Sequence, residues 1–370
     1  MSESAGGRGG LPPLARLPLL ILGFAGLVVG VGAGLARLGV PMPDFAATAA
    51  ALHGPLMVCG FFGVVISLER AVAIGRTWAY AAPFFAGLGT LAALAGASAA
   101  APWLYVAGGG VLLAGTADIF RRQRELFTFT LALGAACWPI GSALWALGWN
   151  VHDVAGWWLA FLILTIAGER LELSRFLPPS PVAKAAFAAI LVVVVAGLAG
   201  SRLHWGAMAF AAGLLALALW LVKQDIARRT VRGKGLTRFI AVCLLSGYAW
   251  LAVGAVTILA AGGLAPGTPA YDAALHALLL GFVFSMVFGH APVIFPAVMK
   301  VAMPYQPAFY VPLALLHGSL VARLAGDAMG RFEWTRIGGV LNALALAAFV
   351  VSTIAAVVRG TRARVAKEHG

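Results

Sequence analysis

What constrains this chain most is the succession of long apolar stretches that divides it from end to end. A helix needs about 20 predominantly apolar residues to cross the hydrocarbon of a bilayer. Twelve segments have that length and character: 18–38, 46–68, 79–98, 103–120, 126–148, 154–173, 182–201, 203–224, 238–262, 271–298, 304–325 and 336–358. Only a handful of residues separate several of them, so no soluble domain fits between. Because a helix satisfies its own backbone hydrogen bonds in lipid, the reading is an all-α polytopic membrane protein of twelve transmembrane helices. Composition agrees, with 62% hydrophobic and 11% charged residues, against about 25% charged in a soluble domain. A tail, 1–17, precedes a single transmembrane domain, 18–370, whose last residues, 360–370, form a second tail.

The net charge of +13 invites a nucleic-acid reading, which would require the basic residues to form one patch on a folded face. They fall instead in short clusters between apolar stretches, so no nucleic-acid partner is expected and the lipid bilayer is the first partner. The N-terminus, the loops after spans 2, 4, 6, 8 and 10, and the C-terminus hold 21 of the 26 Lys and Arg residues; Arg37, Arg202, Arg323, Arg331 and Arg336 lie on the other side. The positive-inside rule then places both termini in the cytoplasm of a bacterial inner membrane protein. Trp103, Trp145, Trp149, Trp157, Trp158, Trp205 and Trp334 fall near the outer ends, where an interfacial belt belongs. Arg8 and Arg16 ahead of the apolar run from Leu19 to Leu35 resemble a signal peptide, but a second span follows at once, so the first helix is read as uncleaved. Cys59, Cys137 and Cys243 lie inside apolar stretches and form neither a disulfide framework nor a C-x-x-C-H haem attachment.

Short internal matches suggest three copies of a four-helix unit, about 18–125, 126–234 and 235–359. Span 4 ends in Asp118-Ile119-Phe120-Arg121-Arg122 and span 8 in Asp225-Ile226-Ala227-Arg228-Arg229. Span 2 ends in Leu68-Glu69-Arg70 and span 6 in Gly168-Glu169-Arg170, while Asp44, Asp153 and Asp272 open spans 2, 6 and 10. An Asp at a helix start is favourable through capping and the dipole, so the combined register carries the argument. In span 10 the corresponding end reads Gly289-His290.

Four histidines lie within spans: His53, His276, His290 and His317; His152 and His204 are in outer loops and His369 is in the tail. A titratable side chain inside hydrocarbon is a functional candidate by default, and the bland alternative is a hydrogen bond to a neighbouring carbonyl at a helix contact. His53 and His276 sit roughly 8 to 10 Å below the outer surface at about 1.5 Å per residue, and His317 reaches a similar depth from the inside. Three imidazoles from three helices in one layer are what a haem or metal site in a bundle requires. Gly54, Gly60, Gly63 and Gly281 leave space for a bulky planar group, or for plain helix packing. His290, about 21 Å along the axis from His276, is expected to join Glu69, Arg70, Glu169 and Arg170 in an inner-leaflet polar cluster. That cluster is either a structural ion-pair knot or a proton relay, and Pro292 and Pro296 after it would break or kink the span.

Twelve spans in three four-helix units, with outer-depth histidines on spans 2 and 10, resemble the core subunit of haem–copper oxidases. That resemblance implies that His53 and His276 are the axial ligands of a low-spin haem. The local text, Leu52-His53-Gly54-Pro55-Leu56-Met57 and Leu275-His276-Ala277-Leu278 through Met286 to Gly289-His290, is closer to NnrS-type proteins, twelve-span bacterial inner-membrane proteins associated with haem, copper and the response to nitric oxide. The NnrS helix-2 motif carries a second His and a Glu where Gly54 and Pro55 stand, and Ala-Pro-Val-Ile-Phe-Pro follows His290 in place of Thr-Gly-Arg. Spans 6 and 7 contain no histidine, so the three-His copper site of a true oxidase cannot be built and no catalytic haem–copper centre is expected.

The resemblance therefore implies a haem-binding protein, with haem b held by His53 and His276 and with His317 or His290 as an additional haem or copper ligand. Its partners would be a diatomic gas or a redox protein. The alternative is a proton-coupled transporter or permease that uses Glu69, Glu169 and His290.

Overall fold

The computed structural model describes residues 10–173, 179–203 and 205–368, so Arg8, His204 and His369 lie outside the described residues. Twelve helices are long and apolar enough to cross a membrane: α1 Pro13–Arg37, α2 Ala50–Ile74, α3 Thr77–Leu94, α4 Ala100–Arg122, α5 Leu126–Ala146, α6 Val151–Leu173, α7 Pro181–Ala199, α8 Gly206–Gln224, α9 Gly235–Ala260, α10 Pro269–Met299, α11 Pro307–Ala328 and α12 Phe332–Ala363. No strand occurs among the described residues. The protein is an all-α polytopic membrane protein, and each expected span has its helix. The largest shift at a start is in α1, which begins at Pro13 because a proline fits the first helical position, where its missing N–H has no intrahelical partner anyway.

The chain forms two compact units, Met1–Gly168 and Glu169–Gly370, divided inside α6. These are sets of six helices and cut across the four-helix register. A repeat of helix-end chemistry and a division by packing are separate properties.

In the first unit α1 lies against α2 along a ladder of glycines. A Cβ on Gly23 would meet Val64, on Gly26 the Phe61 amide and Gly60 backbone, on Gly30 the Met57 side chain, and on Gly34 the His53 ring. Small residues at this spacing let two helices approach closely where hydrophobic burial offers no drive between them. α2 itself is irregular: a 3₁₀ turn at Ala50–Leu52, one α turn at His53–Pro55, a π-helical segment at Leu56–Phe62, then α-helix over Gly63–Ile74. Pro55 lacks the N–H that would close an α bond and thereby loosens the ladder where the wider turn begins.

In the second unit α10 repeats that irregularity. It is α-helical over Pro269–His276, π-helical over Ala277–Phe284 and α-helical again over Ser285–Met299. Pro292 and Pro296 do not break it. The helix runs through both to Met299 and stops at Lys300, which takes a left-handed conformation with φ of 56°; the freed carbonyls of a membrane helix can be satisfied by neighbouring groups. α11 and α12 form a close hairpin through Gly330, at φ of 62°, with Gly326 against the Thr335 backbone and Gly338 against that of Arg323.

Two placements differ from the sequence reading. Arg323 lies within α11 and is buried, so it is no loop cation. Trp158 is also buried, edge-on to Trp145 at 5.8 Å, whereas Trp103, Trp205 and Trp334 are exposed as a belt requires.

Candidate functional site

His53 opens the α turn ahead of the first π segment. Its Nδ1 donates to the Gly30 carbonyl at 2.7 Å. A side chain on Gly34, one turn further along α1, would come within 2.8 Å of the ring. The absence of a Cβ there is what exposes the carbonyl to the imidazole. The hydrogen bond puts the proton on Nδ1 and leaves Nε2 as the basic nitrogen.

His276 stands in the same relation to the second π segment. Its Nδ1 donates to the Asp272 carbonyl at 2.8 Å and lies 3.2 Å from that residue's Oδ1. The Asp272 carboxylate is in turn held in a fork by Arg323, with Nε to Oδ2 at 2.8 Å and Nη2 to Oδ1 at 2.9 Å. Planar guanidinium and carboxylate match in two parallel bonds, which fixes orientation as well as charge. Asp272, expected only to cap a helix, thus ties α10 to α11. Further along α11, Asp327 accepts from the Thr335 hydroxyl at 2.9 Å.

His317 is engaged through both ring nitrogens. Trp250 Nε1 donates to Nδ1 at 2.9 Å, so the proton sits on Nε2, which lies 3.0 Å from the Ser246 hydroxyl. Ser246 passes its own proton to the Val242 carbonyl at 2.8 Å. A metal could take this imidazole only by displacing one of those partners. Gly281, expected to make room for a planar cofactor, receives the Trp250 indole, and Gly63 likewise receives that of Trp138. Gly60 faces Thr90 and Gly54 faces Val151. These four glycines serve helix packing.

The polar cluster near the end of α6 differs in membership from the expected one. Arg170, 6% exposed, forms a bidentate pair with Asp225, 7% exposed: Nε to Oδ2 at 2.7 Å and Nη2 to Oδ1 at 2.9 Å. Tyr248 donates to Oδ2 at 2.6 Å and the Ala227 amide to Oδ1 at 2.8 Å. His290 joins with its Nδ1 proton on the Met286 carbonyl at 2.7 Å, and its Nε2 accepts from Arg170 Nη1 at 3.4 Å. The structure therefore brings Arg170 and His290 together around an aspartate. Glu69 and Arg70 belong to the first unit, where Arg70 Nε lies 3.8 Å from Glu69 Oε2. Glu169 is the first residue of the second unit. Asp225, Tyr248, Asp272 and Arg323 are the residues that sequence reasoning missed. One signal for Asp225 was present, since it is the only acidic residue between Glu172 and Asp272.

Among the described residues no group of three or more His, Cys, Asp and Glu side chains is arranged to hold a metal ion. A cavity of about 200 Å³ lies in the first unit between Thr48, Leu52, Ala93, Ser98 and Trp145. It falls below the roughly 300 Å³ at which small-molecule sites begin.

Residues 16–358 match a family described as Domain of unknown function (DUF8744). The chain belongs to that family. No curated protein matches it. For this DUF8744 member, the chemistry must be argued from its own side chains. The four intramembrane histidines provide three Nδ1-protonated rings, at His53, His276 and His290, and one Nε2-protonated ring, at His317.

Proposed function

We propose that this DUF8744 protein is a haem-binding protein of the bacterial inner membrane, with both termini cytoplasmic, in which His53 and His276 are haem iron ligands. The observation that carries the reading is a shared local arrangement. Each histidine immediately precedes a π-helical segment of its span, and each is oriented by an Nδ1–H bond to a backbone carbonyl. An Nδ1 hydrogen bond to a carbonyl or carboxylate is the usual support of a ligating imidazole, because it fixes the tautomer and raises the basicity of Nε2. Short π segments occur frequently at functional sites. Without a C-x-x-C-H motif, the group would be non-covalent haem b. Haem would supply one-electron redox chemistry, and binding of nitric oxide or another diatomic gas if an axial ligand is displaceable. The protein's part is to hold two neutral imidazoles and, through Gly30, Asp272 and Arg323, to fix their rotation.

The test is an absorption spectrum and haem extraction on the full chain purified after expression with ample haem. A Soret band that is lost in both His53→Ala and His276→Ala supports the reading, and half retention in each reports two haems. No Soret band in the parent, or parental haem content in both variants, overturns it.

A second reading, a proton-coupled permease, is favoured by the buried Arg170–Asp225–Tyr248–His290 cluster, which supplies the polar group inside a span that Glu69, Glu169 and His290 were expected to supply. Proton or solute flux in proteoliposomes that disappears in Asp225→Asn, with folding intact, would support it. Flux absent from the parent removes it.

A further inference from the structure

The loop between α8 and α9 concentrates positive charge without a counter-charge. Lys223, Arg228, Arg229, Arg232, Lys234 and Arg238 fall within 223–238, and all six are exposed. From residue 173 to residue 271 the only acidic residue is Asp225. Its carboxylate faces inward: both oxygens are bound by Arg170, at 2.7 and 2.9 Å, and Tyr248 donates to one of them at 2.6 Å.

The equivalent turn after α4 shows what this changes. There the matching pentapeptide, Asp118-Ile119-Phe120-Arg121-Arg122, pairs its aspartate with its own Arg122 at 2.7 Å, on the surface, and Glu125 follows. The same sequence pattern gives a compensated turn in one place and an uncompensated one in the other, because Arg170 has drawn Asp225 into the bundle. The inward pair also fixes the loop. The Ala227 amide is bound to Asp225 Oδ1 at 2.8 Å, and Arg228 donates to the Lys223 carbonyl at 3.0 Å.

α8 ends at Gln224 and α9 starts at Gly235, so these cations lie at the level where a bilayer presents its headgroups. We propose that 223–238 is a binding site for the phosphate groups of anionic phospholipids in the adjoining leaflet. Guanidinium matches phosphate in the same forked geometry as carboxylate. Each basic side chain near an anionic surface raises lipid association by about fivefold.

The experiment places the full chain in phosphatidylcholine nanodiscs with trace spin-labelled phosphatidylglycerol or spin-labelled phosphatidylcholine, and reads the immobilised fraction of each. The expected result is a several-fold preference for phosphatidylglycerol. That preference falls toward unity in Arg228→Gln/Arg229→Gln/Arg232→Gln/Lys234→Gln and is retained in Arg121→Gln/Arg122→Gln/Arg124→Gln. Should the fourfold variant fail to fold, salt decides on the parent: at about 1 M NaCl, where the Debye length is about 3 Å, the preference must collapse. No preference in the parent, a preference unchanged by the fourfold variant or by salt, one lost in the 121–124 variant, or equal displacement by inorganic phosphate at matched phosphate concentration overturns the proposal.

Discussion

At the scale of single residues, the buried Arg170–Asp225 pair is the interaction whose loss should be felt most. Replacing one partner leaves the other charged, desolvated and unsatisfied, which typically costs about 3–5 kcal/mol. Asp225→Asn is therefore expected to lower the thermal midpoint of the purified protein well below that of Asp118→Asn, whose aspartate makes a surface pair with Arg122 worth about 0.5 kcal/mol. Equal midpoints would mean that Asp225 is not carrying the cluster. His317 allows a finer test. His317→Ala strands the Trp250 N–H in the protein interior, an expected loss of about 1–3 kcal/mol readable by thermal unfolding, while His317→Gln, which can still offer an acceptor, is expected to recover part of it. Little of this was legible beforehand. Arg170 and His290 stood out because charge is rare in the spans, but their partner Asp225 is 55 residues from Arg170 in sequence, and only folding pairs them. Arg323 was assigned to a loop because a lone arginine near a span end has the same pattern whether it faces water or, as here, a carboxylate on the next helix.

At the scale of elements, the two π segments set the rotation of everything that follows them. Removing one residue from Ala277–Phe284 would restore an α turn and rotate the rest of α10 by about 100°, carrying His290 away from Arg170. A deletion of Leu279 is thus expected to abolish the energetic coupling between Arg170 and His290 in a double-mutant cycle of thermal stability; persistence of that coupling would show that the wide turn is not what aims His290. The glycine ladder of α1 has its own consequence. Gly34→Ala places a methyl within contact of the His53 ring, an overpacking expected to cost about 1–3 kcal/mol and to displace the ring from the Gly30 carbonyl; unchanged haem content and unchanged thermal midpoint would contradict it. The glycine spacing was readable as packing or as a cradle, and the choice between them depended on which side chains of other helices arrive, here Trp138 and Trp250. The π segments carry no periodicity of their own. Pro55 hints at the first, and nothing in Ala277–Phe284 announces the second.

At the scale of the whole molecule, the twelve helices were legible almost residue by residue, because the demand for about 20 apolar residues per crossing is imposed by the solvent and not by tertiary partners. The sidedness of the charge predicts both termini in the cytoplasm. A C-terminal green fluorescent protein fusion should fluoresce and a C-terminal alkaline phosphatase fusion should be inactive, and the reverse pair of results would invert the assignment. The division between Gly168 and Glu169 had no sequence mark, since it falls inside the continuous helix Val151–Leu173.

The ladder of small residues along α1 also bears on chronology. α1 is the first apolar segment of this sequence to emerge from the ribosome, and its groove at Gly23, Gly26, Gly30 and Gly34 is complementary to α2, the very next segment to be made. Two inserted helices that already fit can associate while the remaining ten are still unsynthesised, so the His53 side chain is seated early in the protein's life. A bulky residue at Gly26 would accordingly be met as a failure of biogenesis, with nascent chains cleared by quality control, before any mature protein existed to be assayed.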